Sequence, residues 1–90
     1  NQVVINVKGN SGQRGTVEVT HSGETSKFRD VELSDREGDY IGWETNVCPQ
    51  EGAVEVNLSL EDEDATVKTE IYQQGQLQKE VENSSFTYMP

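Results

Sequence analysis

Between Ala53 and Val81 the chain alternates. Val54, Val56, Leu58 and Leu60 recur at every second position, with Glu55, Asn57 and Ser59 between them. Period two places the four apolar side chains on one side of an extended strand and the polar three on the other. An acidic turn, Glu61-Asp62-Glu63-Asp64, leads into a second such run, in which Val67, Thr69 and Ile71 share a face. Gln73-Gln74-Gly75-Gln76 has the composition of a tight turn, and Leu77-Gln78-Lys79-Glu80-Val81 is a third short run. The spacing predicts three strands joined by short turns in a meander, whose apolar face a second sheet must cover.

The remaining segments supply strands for that second sheet. Val3, Ile5 and Val7 alternate until Gly9-Asn10-Ser11-Gly12, and Val17 and Val19 resume the pattern. His21-Ser22-Gly23-Glu24 reads as a hairpin turn, with Gly23 free to take positive φ. Its return strand, Ser26 to Leu33, slips register between Phe28 and Val31, which predicts a bulge near Arg29-Asp30. After the polar stretch Ser34-Asp35-Arg36-Glu37-Gly38-Asp39 comes a strand from Tyr40 to Val47, with Gly42 marking a bulge or close backbone approach. Pro49 closes it, and Phe86-Thr87-Tyr88 is a last edge strand. No segment holds a helical period beyond two turns. Residues 1–90 are therefore expected to form a single all-β domain, a small antiparallel Ig-like β-sandwich of about seven strands.

Charge narrows the function. Seven basic residues against seventeen acidic ones leave a formal charge of -10. Binding to nucleic acid or to an anionic membrane surface depends on Lys and Arg, so neither is expected. A single cysteine, Cys48, permits no internal disulfide and no multi-cysteine metal site; next to Pro49 it is expected to be a small buried hydrophobe. The chain has no apolar run of membrane-spanning length and no signal peptide. Opening on Asn1 without an initiator Met, it reads as a trimmed or mature fragment, any membrane anchor lying outside it.

Few residues are stocked for chemistry. His21 is the only histidine, placed in a turn; no G-x-S-x-G elbow exists and nothing puts Ser or Cys48 beside it, so no catalytic residue and no enzyme activity are expected. No cofactor is implied. Calcium takes six to eight oxygen ligands. Asp62 and Asp64 in the acidic turn are the candidate metal ligands, with Asp35, Glu37 and Asp39 as a second set whose loop spacing Arg36 interrupts. A solvated charged hairpin that discourages edge pairing is the expected role of Glu61 to Asp64. Tyr40 and Tyr72 are the candidate ligand-binding aromatics, Tyr72 lying on the opposite side from Val67 and Ile71. Trp43 is expected to plug the core. Asn57-Leu58-Ser59 and Asn83-Ser84-Ser85 match the glycosylation sequon, which matters only in a eukaryotic host.

The order of motifs resembles a family. Val3-Val4-Ile5-Asn6-Val7-Lys8-Gly9, then Gly15-Thr16-Val17-Glu18-Val19-Thr20-His21, then Phe28-Arg29-Asp30-Val31-Glu32-Leu33 resemble the opening hairpins of small bacterial envelope domains. Gly38-Asp39-Tyr40-Ile41 is similar to their approach to the next strand, and Thr66 to Glu80 looks like their closing hairpin. This is the pattern of MmpS-like transport accessory domains and related small lipoproteins. The chain departs from it where Ser34-Asp35 replaces a Pro-Trp pair and Gln74 replaces a turn Asp. The resemblance implies an Ig-like sandwich outside the cytoplasmic membrane, with no catalytic residues. The expected role is a non-enzymatic accessory or protein-interaction domain of an envelope protein or lipoprotein, its protein partner in the envelope. The alternative is a calcium- or carbohydrate-binding sandwich using Asp62, Asp64 and Tyr72.

Overall fold

A computed structural model describes residues 2–9, 13–33, 42–62, 64 and 66–90. Among them are eight strands: β1 (Val3–Gly9), β2 (Arg14–His21), β3 (Glu24–Glu32), β4 (Trp43–Val47), β5 (Val54–Leu60), β6 (Val67–Gln73), β7 (Gln76–Val81) and β8 (Ser85–Tyr88). They form two antiparallel four-stranded sheets, β4-β1-β6-β7 and β3-β2-β5-β8, stacked as a sandwich.

Alternation builds the core as expected. Val3, Ile5, Val7 and Ile71 from one sheet meet Val17, Val19, Val54 and Val56 from the other, all fully buried. Each such side chain contributes about 1.5–3 kcal/mol through burial. Leu33, just past β3, is also fully buried; its backbone N–H donates to the Gln13 carbonyl, and its own carbonyl accepts the Gly9 N–H.

The meander is not what forms. Val54–Leu60 pairs with β2 and β8, whereas Val67–Gln73 pairs with β1 and β7 in the opposite sheet. The acidic segment after Leu60 is therefore a crossover between sheets and not a hairpin. Period two fixes which side of a strand is buried; both assignments satisfy it, since each run then faces the other across the core.

Turn chemistry follows the residues closely. Ser22 and Gly23 both take positive φ (51° and 78°), as do Gln74 and Gly75 (54° and 76°). Two consecutive left-handed residues make the hairpin turn whose twist matches its strands. The bulge near Arg29-Asp30 is present: Gly15 pairs with Val31 but Val17 pairs with Phe28, and Asp30 takes φ 54°. Arg14 secures it, donating from Nε to Asp30 Oδ1 at 2.8 Å and from Nη2 to the Asp30 carbonyl at 2.6 Å.

Two packing expectations need correction. Trp43 does not plug the core. It opens the edge strand β4, half-buried, and packs on Phe28 with ring centroids 5.0 Å apart at 55°. Edge position puts its ring at the seam between the sheets, and the centre is aliphatic. Cys48 lies just beyond β4 and is exposed, because the strand has already ended there. Tyr40, and the set Asp35, Glu37 and Asp39, lie outside the described residues.

Candidate functional site

Among the described residues, one end of the sandwich holds three recesses. β1 starts there, β2 and β3 turn there through Ser22-Gly23, and β6 and β7 turn there through Gln74-Gly75. The β4–β5 loop and the residues after β8 complete this lower end. Two contacts join the sheets across it. The Gln50 backbone N–H donates to Ser22 Oγ at 2.9 Å, and the Tyr88 hydroxyl donates to Gln73 Oε1.

Between the Ser22-Gly23 turn and the β4–β5 loop lies a groove of about 550 Å³. Its walls are Thr20, His21, Ser22, Gly23, Glu51, Gly52, Ala53, Glu55 and Thr87. His21 does not lie in the turn where the sequence places it. It is the last residue of β2, on the inward side with Val17 and Val19, and half-buried. Its Nδ1 is buried without a hydrogen-bond partner. The charged lining residues of the groove are two acids, Glu51 and Glu55, both exposed. Glu55 accepts from Asn57 Nδ2 at 3.2 Å, which turns its carboxylate along the outer face of β5. Ser22 Oγ is engaged by Gln50.

Tyr72 sits elsewhere, on the outer face of the other sheet. Strand register puts it in a row with Asn46, Val4 and Leu77; the neighbouring row is Glu44, Asn6, Glu70 and Glu80. Tyr72 is half-buried, and its hydroxyl donates to Glu70 Oε1 at 3.1 Å. Loss of water around the phenol, then the hydrogen bond and charge of Glu70, raise its pKa above the ordinary tyrosine value. Glu70 is only 7% exposed although it faces outward, and Lys8 Nζ meets the same Oε1 at 3.1 Å. The sequence reading missed Glu70. Tyr72 flanks it through the two-residue spacing of β6, but Lys8 reaches it only once β1 and β6 are aligned.

Asp62 and Asp64 are at the opposite, upper end, where β5 crosses to β6. The Asp64 backbone N–H donates to Asp62 Oδ1 at 3.0 Å, a local turn that occupies one carboxylate oxygen. Among the described residues no three His, Cys, Asp or Glu side chains converge as metal ligands. The structure does not bring Asp62 and Asp64 together with Tyr72. Asn57, the first sequon residue, is held mid-strand, its Oδ1 accepting from Ser85 Oγ at 2.5 Å. Set against known proteins, the chain matches no family model, no curated protein and no solved structure.

Proposed function

We propose that this chain is a non-enzymatic accessory or protein-interaction domain, acting outside the cytoplasmic membrane as part of a bacterial envelope protein or lipoprotein. One observation carries the interaction reading. The large hydrophobic side chains left exposed among the described residues are Leu77, at 49%, and Met89, at 68%. Both lie at the lower end: Leu77 is the second residue of β7 after the Gln74-Gly75 turn, and Met89 comes directly after β8. Met89 shares a shallow recess there with Pro49, Gln50 and Gln73. Large apolar side chains left exposed at one end, beside polar loops, are the composition of a surface that another protein covers. The envelope location draws on the resemblance of the hairpin motifs to MmpS-like domains.

The test is photocrosslinking in cells of the source organism, with a photoreactive residue placed at Leu77, at Met89, or at Glu61 on the upper end. The expected result is a discrete crosslinked protein from Leu77 and Met89 and none from Glu61. Equal yields from all three, or none from any, overturn the proposal.

A further inference from the structure

Among the described residues the two sheets have four edge strands, β4, β7, β3 and β8. An edge strand presents unpaired backbone N–H and C=O groups, and these are satisfied by another strand unless something guards them. Three of the four edges are guarded. β3 is broken by the bulge at Asp30, whose carbonyl is taken by Arg14 Nη2. β8 is four residues long, and its Thr87 carbonyl accepts Lys79 Nζ at 3.3 Å. β7 slips register opposite Ile71 and Tyr72, and carries Lys79 and Glu80.

β4 has none of these devices. Trp43 to Val47 pair one-to-one with β1 with no register break, and contain no Pro, Lys or Arg. Its one charge, Glu44, points to the outer face. Trp43, Thr45 and Val47 point inward yet are only half-buried, and among the described residues no strand lies beyond them in the sheet. One more strand would complete both the hydrogen-bond row and the burial of these three side chains.

We infer that β4 is the docking edge, and that its occupant is an extended segment of a partner protein with alternating apolar and basic residues. This rests on the reading of the chain as an interaction domain and adds to the Leu77 and Met89 surface a strand-docking edge with a stated ligand chemistry. Apolar positions of the incoming strand cover Trp43 and Val47, while Lys or Arg at the intervening positions meets Glu44. The formal charge of -10 selects a basic segment over a second copy of this chain, since two copies repel. Main-chain bonds supply affinity and the alternate side chains supply selectivity.

The test is an amide NMR titration with a short capped peptide alternating Val and Lys, followed by hydrogen exchange. Expected are saturable shifts centred on Trp43–Val47 and slowed exchange at alternate amides of β4. Glu44→Lys is expected to weaken binding about two- to fivefold, the size of an exposed ion pair. The same peptide N-methylated at alternate backbone amides is expected not to bind. Binding that survives N-methylation overturns strand addition. Shifts confined to the His21 groove or to the Tyr72 row overturn β4 as the site while leaving an interaction domain. Concentration-dependent β4 shifts without peptide put a second copy there instead, and no shift at β4 overturns the inference outright.

Discussion

Glu70 is a carboxylate turned outward yet almost completely buried, and removing its cation should cost more than removing the carboxylate itself. Lys8 Nζ lies 3.1 Å from Glu70 Oε1, with side-chain exposures of 26% and 9%. At that distance and an effective dielectric of about 20, the Coulomb attraction is roughly 5 kcal/mol before desolvation. Desolvation of Glu70 and partial solvation of Lys8 reduce this to about 2 kcal/mol, within the range of charged hydrogen bonds. Lys8→Met keeps the aliphatic length but leaves Glu70 with the Tyr72 hydroxyl, and with Glu80 directly opposite on β7. It should therefore destabilise by about 2 kcal/mol, or about 10 °C in a domain this small. Glu70→Gln removes the buried charge itself and should cost about 1 kcal/mol or less. The double variant should lose less than the sum, because the uncompensated carboxylate is gone. Urea denaturation followed by the fluorescence of Trp43, the single tryptophan, reads all three. Equal losses below about 0.5 kcal/mol for both single variants, the behaviour of a solvated surface pair, would refute the reasoning.

Other outcomes follow from the same geometry. Because the folded pKa of Tyr72 is raised, its contribution is complete below the unfolded tyrosine pKa and is lost as pH rises through the folded value. The stability difference between wild type and Tyr72→Phe should thus be flat from neutral pH to about 10 and shrink above it; a difference that grows with alkali would contradict this. Cys48 should react fully with a thiol reagent in the folded protein without denaturant, and with a membrane-impermeant maleimide in intact cells if the domain lies outside the cytoplasmic membrane. Gly23→Val, at φ 78° with open space where a Cβ would sit, should cost about 1–2 kcal/mol from backbone conformation alone. A neutral result in chemical denaturation would show that the turn relaxes.

Strand positions were legible because alternation and turn residues are local signals. Val54 to Leu60, the bulge at Asp30 and the two left-handed turns all stand where the residues put them. Sheet membership was not legible. Nothing in Val54–Leu60 or Val67–Gln73 distinguishes a hairpin from a crossover, since both bury the same side chains. That ambiguity hid the edge position of β4, and with it the seam position of Trp43 and the exposure of Cys48. The candidate sites suffered more, because they depend on side chains brought together across strands. His21 and Glu51 are thirty positions apart in the chain and share one groove. Tyr72 was marked by its face, which Glu70 shares two residues earlier, but the contact of Lys8 with Glu70 needed the register of β1 against β6.

Every surface described above follows from the chain crossing between sheets after Leu60. Cross-strand Hα contacts in an NMR spectrum test that crossing most directly. Val54–Leu60 should show them to Arg14–His21 and to Ser85–Tyr88, with Val67–Gln73 contacting only β1 and β7. Hα contacts running directly between Val54–Leu60 and Val67–Gln73 would contradict the crossing, and β4 would lose its place as the open edge.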